Sequence, residues 1–153
     1  MKPLPDQLEG LVSTLEHLER EDRIEMLIEA AGQFTPVPSR IAQRPFPAEN
    51  RVPGCESEAY VWPENNPGGT LSFHFAVENP QGISAMALAE ILRTTLTGAP
   101  LEEVAAVPAD VIYRIFGREL SMGKSLGLMG MVNMVRSAAL QQMQAAAAKE
   151  SSG

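Results

Sequence analysis

One cysteine, two histidines, one tryptophan and two tyrosines are all that this 153-residue chain holds of those types. A single cysteine excludes an internal disulfide and any all-cysteine metal site within one chain. His17 and His74 stand far apart, so no ligand pair with metal-site spacing is present and no metal or other cofactor is expected. Basic residues are also scarce: 12 Lys and Arg face 19 Asp and Glu, for a net charge of −7. Such a chain repels phosphate backbones and anionic headgroups, which argues against nucleic acid and membrane surfaces as partners. No apolar run reaches the length that spans a bilayer. The opening Met1-Lys2-Pro3-Leu4-Pro5-Asp6 lacks the apolar segment of a signal peptide. A cytoplasmic protein is expected, and in a reducing compartment the lone thiol stays free to react.

What is present is enough to build a core. Forty-four per cent of the residues are hydrophobic, and the length suits one domain. The expected unit is a single domain over 1–150, with 1–5 and about 145–153 as loose tails. Leu8, Leu11, Val12, Leu15 and Leu18 recur with helical period after Asp6 and Glu9, which have capping-box spacing. A second helix is expected from about Glu21 to Gln33, with Ile24, Leu27, Ile28 and Ala31 on its buried face. The short link between the two predicts an N-terminal helical hairpin. Pro36, Pro38, Pro45 and Pro47 then exclude helix and predict a long ordered loop, locally basic through Arg40, Arg44 and Arg51.

Ser57 to Trp62 reads as a strand and Pro63 to Gly69 as a turn. Thr70 to Glu78 alternates, with Leu71, Phe73, Phe75 and Val77 on one face and Ser72, His74 and Glu78 on the other. The two strands form an expected antiparallel hairpin. A helix from about Gly82 to Thr97 buries Leu88, Ile91, Leu92 and Leu96. Pro108 to Phe116 fits either strand or short helix. A long last helix from near Lys124 buries Leu128, Val132, Val135, Ala139 and Met143. The fold class is α+β, a small antiparallel sheet packed with helices.

Cys55 lies in Arg51-Val52-Pro53-Gly54-Cys55-Glu56-Ser57, between the proline-rich loop and a strand. Pro53 and Gly54 predict a turn, and Gly54 carries no side chain to block a reagent. Free cysteines are more often small core residues, but a loop tip is a poor place to pack. Charges of both signs flank it: Glu56 and Glu58 against Arg51 and Arg44. Three other features are weaker. Gly123-Lys124-Ser125 ends like a phosphate-binding loop, but the first glycine of that motif falls on Arg118, so a helix start is the better reading. His74 with Cys55 fits a cysteine-dependent hydrolase or peroxidase. The Met-rich run from Met122 to Met143 fits core packing better than a binding groove.

The stretch Val52-Pro53-Gly54-Cys55-Glu56-Ser57-Glu58-Ala59-Tyr60-Val61-Trp62 resembles the signature around the active cysteine of SufE proteins. The order of elements follows that family along nearly the whole chain, and Leu18 to Phe34 is similar to its second helix. The resemblance implies a SufE/NifU-like domain that is a sulfur-transfer accessory protein and not a stand-alone enzyme. It implies that Cys55 takes persulfide sulfur from a pyridoxal-phosphate-dependent cysteine desulfurase, stimulates that enzyme, and delivers sulfur to an iron–sulfur cluster scaffold protein. The site carried over is catalytic Cys55, with Arg51, Val52, Gly54, Glu56, Ser57 and Lys124 as binding residues around it. Lys124 stands where the family most often has Arg, and Glu78-Asn79-Pro80 stands where it tends to have Ser-Asp. A scaffold that holds the cluster itself is disfavoured, since clusters typically take four cysteine ligands.

Overall fold

The computed structural model describes residues 4–152. Helix α1 (Asp6–His17) and helix α2 (Arg20–Gly32) follow each other after a two-residue link. The long loop then leads through a single 3₁₀ turn, Ala48–Asn50, into strand β1 (Ala59–Asn65) and strand β2 (Leu71–Val77). Helix α3 (Ile83–Leu96), the short helices α4 (Leu101–Ala105) and α5 (Val111–Phe116), and helix α6 (Met122–Ser152) complete the chain. Helices thus surround one two-stranded antiparallel sheet, with Ala59 opposite Val77 and Asn65 opposite Leu71.

The alternation in β2 sorts its faces as period two requires. Leu71, Phe73 and Phe75 are buried inward with Ala59 and Val61 of β1. Behind them stand Leu88, Leu92 and Leu96 of α3 and Val132 and Val135 of α6. Truncating one large core ring, Phe75 to Ala, costs about 3–5 kcal/mol by analogy with other cores. The outer face is covered by the loop. Phe46 packs on Tyr60 and Trp62 at centroid distances of 5.2 and 5.1 Å. The loop is also pinned by ion pairs, Arg40 to Glu64 and Arg44 to Glu78. At its start the Thr35 N–H donates to the Glu90 carboxylate, which accepts from Arg93 as well. Burial pushes the Glu90 carboxyl up, and Arg93 and Thr35 more than offset that, holding it below its ordinary value.

Several boundaries differ from the expectation for stated reasons. β1 runs on through Pro63, Glu64 and Asn65, residues expected in the turn. Pro63 sits opposite Phe73, and the missing N–H is tolerated at the sheet's edge. Pro108 to Phe116 resolves as a short helix with Val111, Ile112 and Ile115 buried. α6 begins at Met122, where the Ser121 hydroxyl accepts the Lys124 N–H at 3.3 Å as a cap. Met143 is only partly buried, whereas Met131 is fully buried. α1 and α2 pack chiefly on α3 and α5 rather than on each other. The buried seam of α2 centres on Leu27, Ala30 and Ala31, which leaves Ile24 and Ile28 exposed instead of buried. Of the expected loose head, residues 1–3 lie outside the described residues, and Leu4 is buried.

Candidate functional site

The cysteine turn is built by backbone. Val52 donates its N–H to Ala59 O at 2.8 Å, so the chain folds back on β1 just before the strand starts. Gly54 has φ +69°, in the left-handed region that favours glycine. A Cβ added there meets nothing within 4 Å, so glycine serves the backbone conformation and not the clearance that the sequence suggested. Glu58 N–H then donates to Cys55 O at 3.1 Å, and Glu58 itself holds φ +54°. That is uncommon for a side-chain-bearing residue outside glycine, Asn and Asp.

Cys55 is buried, with 7% of its surface exposed, and it belongs to the core cluster. The loop-tip expectation is corrected on this point, because α6 packs directly against the turn. A Cβ on Gly127 would stand 3.2 Å from Cys55 Cα and 3.4 Å from its Sγ. A Cβ on Gly130 would stand 2.9 Å from Val52 Cγ1. Two glycines one helical turn apart thus let the helix backbone lie against the Val52–Cys55 segment.

On its other side Cys55 lines a pocket of about 310 Å³. Glu56, Ser57 and Lys124 line it too, together with the first turns of α3, at Ile83 and Ser84, and of α6, at Gly123. Helix N-termini carry partial positive charge and Lys124 adds a full one, while the Glu56 carboxylate opposes them, so the pocket wall carries charge of both signs. Arg51 does not line the pocket; its guanidinium lies 4.0 Å from the Glu58 carboxylate. Val52 and Gly54 shape the turn without lining the pocket. Arg44 is engaged by Glu78.

The structure gives two residues a part in the site that the sequence did not assign them. Asn79 N–H donates to Ser57 O at 3.1 Å, and its side chain amide donates to Glu56 O at 3.5 Å. It therefore ties the loop before α3 to the cysteine turn. Gly82 is needed at the same join, since a Cβ there would lie 2.8 Å from Ser57 Cβ. The sequence named Asn79 only as part of a departure from the family pattern, and nothing local marked its partner.

His74 lies elsewhere. It pairs across the sheet with Trp62 and hydrogen-bonds Glu64 at 2.8 Å, and it does not line the Cys55 pocket. The Cys–His hydrolase expectation therefore has no pair to act through. Arg40 and His74 together hold the Glu64 carboxyl down at about 2. Gly123-Lys124-Ser125 lies within the first turn of α6 and follows helix α5 and a loop instead of a strand, so it is not a phosphate loop. Among the described residues no group of three or more His, Cys, Asp or Glu is placed to hold a metal ion. No helix among them is long and apolar enough to cross a membrane.

The molecule is a small α+β fold whose one cysteine lines a pocket. Over residues 9–139 it matches the SufE family, described as an Fe–S metabolism associated domain, and it belongs to that family. Uncharacterised SufE-like proteins of two Mycobacterium tuberculosis strains, CDC 1551 / Oshkosh and H37Rv, are each 26% identical over 107 residues, covering 70% of this chain and 72% of theirs. A hypothetical protein from Thermus thermophilus, solved in solution, shares the fold with a TM-score of 0.72. That likeness spans 93% of this chain and 99% of the other at 22% identity.

Proposed function

We propose that the protein is a sulfur acceptor and carrier, acting in the reducing cytoplasm between a pyridoxal-phosphate-dependent cysteine desulfurase and an iron–sulfur cluster scaffold protein. Membership of an Fe–S metabolism family supports the setting. The observation that carries the chemistry is that the chain's lone cysteine lines a solvent-reaching pocket rimmed by two helix N-termini and Lys124.

The reaction is thiol–disulfide exchange on a persulfide. The Cys55 thiolate attacks the terminal sulfur of the donor's persulfide. A new S–S bond forms on Cys55 as the donor's own S–S bond breaks, and the donor cysteine leaves as a thiolate. Electrons balance without an external oxidant. The product is an anionic terminal sulfur, which the pocket's positive end-charges suit. Repetition of the step on the scaffold's thiol delivers the sulfur. The carrier speeds the desulfurase by clearing its persulfide and turns over nothing alone, so it is an accessory protein.

The test is a desulfurase assay. Wild-type protein is expected to raise the rate of alanine formation from cysteine several-fold, and Cys55→Ser to leave the enzyme at its basal rate. Equal stimulation by both proteins would remove Cys55 from the mechanism.

A further inference from the structure

The outer face of α2 carries apolar side chains that the fold does not use. Ile24 is 43% exposed and Ile28 is 57% exposed, and beside them Ile83, at the start of α3, is 47% exposed. Between them runs a groove of about 340 Å³, floored by Leu27, Phe116 and Leu120. Isolated exposed apolar residues are ordinary, whereas a clustered patch with a groove marks an interaction surface.

Three observations say what covers it. The groove shares Ile83, Ser84 and Lys124 with the wall of the Cys55 pocket, so the two concavities are neighbours. Cys55 is buried, so a macromolecular donor reaches it only by seating over the pocket mouth. A stable interface covers about 800 Å² per partner, far more than one pocket mouth, so the donor's footprint extends over the adjoining groove. Charge sets its chemistry. Arg20, Arg23 and Lys124 line the groove, which gives a basic margin in a chain of net charge −7. Arg20 is already matched by Glu119, while Arg23, whose guanidinium lies over Gly117, and Lys124 form no ion pair among the described residues. Both are free to meet carboxylates.

Resting on the sulfur-carrier reading, we infer that the desulfurase docks on the α2 face around Ile24, Ile28 and Ile83, through an apolar projection flanked by carboxylates beside its persulfide cysteine. The patch contributes affinity, and Cys55 contributes the chemistry.

The experiment titrates the protein into the desulfurase of the same organism, reading sulfur gained on Cys55. The double variant Ile24→Glu/Ile28→Glu is expected to raise the half-saturating concentration at least about tenfold, as loss of an interface anchor does. The rate at saturation and the alkylation rate of Cys55 in the free protein stay unchanged. Arg23→Glu is expected to shift half-saturation the same way and to weaken its salt dependence. Hydrogen exchange on the wild-type complex, which needs no variant to fold, is expected to show protection of residues 20–32. Half-saturation within about twofold of wild type, or no protection of α2 in the complex, overturns the inference while sulfur transfer itself stands. A dimer of the free protein that the double variant dissolves, with desulfurase affinity unaltered, assigns the face to a second copy and also overturns it. Failure of the wild-type protein to gain sulfur defeats the carrier reading first, and the docking inference with it.

Discussion

Gly54 and Glu58 bracket Cys55 with two left-handed backbone conformations, at φ +69° and +54°. The open space around Gly54 separates conformation from clearance. Gly54→Ala is expected to destabilise the protein by about 1–2 kcal/mol, the ordinary cost of a left-handed side-chain-bearing residue. Gly54→Asn should lose less, because Asn tolerates that region. Chemical denaturation of the two variants checks this, and equal losses would mean that bulk, not backbone angle, is what Gly54 excludes. At this scale the sequence was legible where chemistry is local. Ser57 and Lys124 came in only through the family resemblance, whereas Cys55, its turn and the flanking Glu56 could be read from residue type and order. The burial of Cys55 could not, because it depends on α6, whose Gly127 is 72 positions away along the chain and gives no local sign of what it touches.

Among the elements, α6 shows how glycine is used for approach. Gly123, Gly127 and Gly130 each weaken a helix by about 1 kcal/mol relative to Ala. Only the last two are offset by contact: an added Cβ at Gly123 meets nothing within 4 Å, whereas one at Gly130 meets Val52 Cγ1 at 2.9 Å. Gly123→Ala is therefore expected to stabilise by up to about 1 kcal/mol. Gly130→Ala should show no gain or a loss of about 1–3 kcal/mol, the range for overpacking. Thermal melts of the pair decide it, and equal gains would show that α6 does not press on the Val52 segment. Helix periodicity found α1, α3 and α6 from the sequence because their apolar stripes have one interpretation. It misread α2, where Ile24, Leu27, Ile28 and Ala31 fit one face but the seam turned toward Ala30, leaving two isoleucines outside. It also stopped β1 early, since a proline reads as a breaker unless the strand is known to lie at an edge.

Across the whole molecule, the long loop is what joins sheet, helices and surface. It is held by contacts that no local pattern announces: the Thr35 backbone N–H to the Glu90 carboxylate, and the ion pairs Arg40 to Glu64 and Arg44 to Glu78. The Glu64 pair makes the loop's attachment sensitive to acid. Its carboxyl titrates near 2 in the folded protein against an ordinary 4.5, so the folded state holds fewer protons in that window. The stabilisation is fully present above about 4.5 and is lost as the pH falls toward 2. Melting curves of wild type and Glu64→Gln are expected to differ at neutral pH and to converge through that window. Curves that stay parallel down to about pH 2 would show that the pair adds nothing to the folded state.

The most direct test of sulfur carriage is intact-protein mass spectrometry after incubation with a cysteine desulfurase and free cysteine. Wild-type protein is expected to gain the mass of one sulfur atom, removable by a thiol reductant, and Cys55→Ser to gain none. No gain on wild type with the desulfurase of its own organism, or an equal gain on Cys55→Ser, would contradict the assignment of Cys55 as the sulfur acceptor.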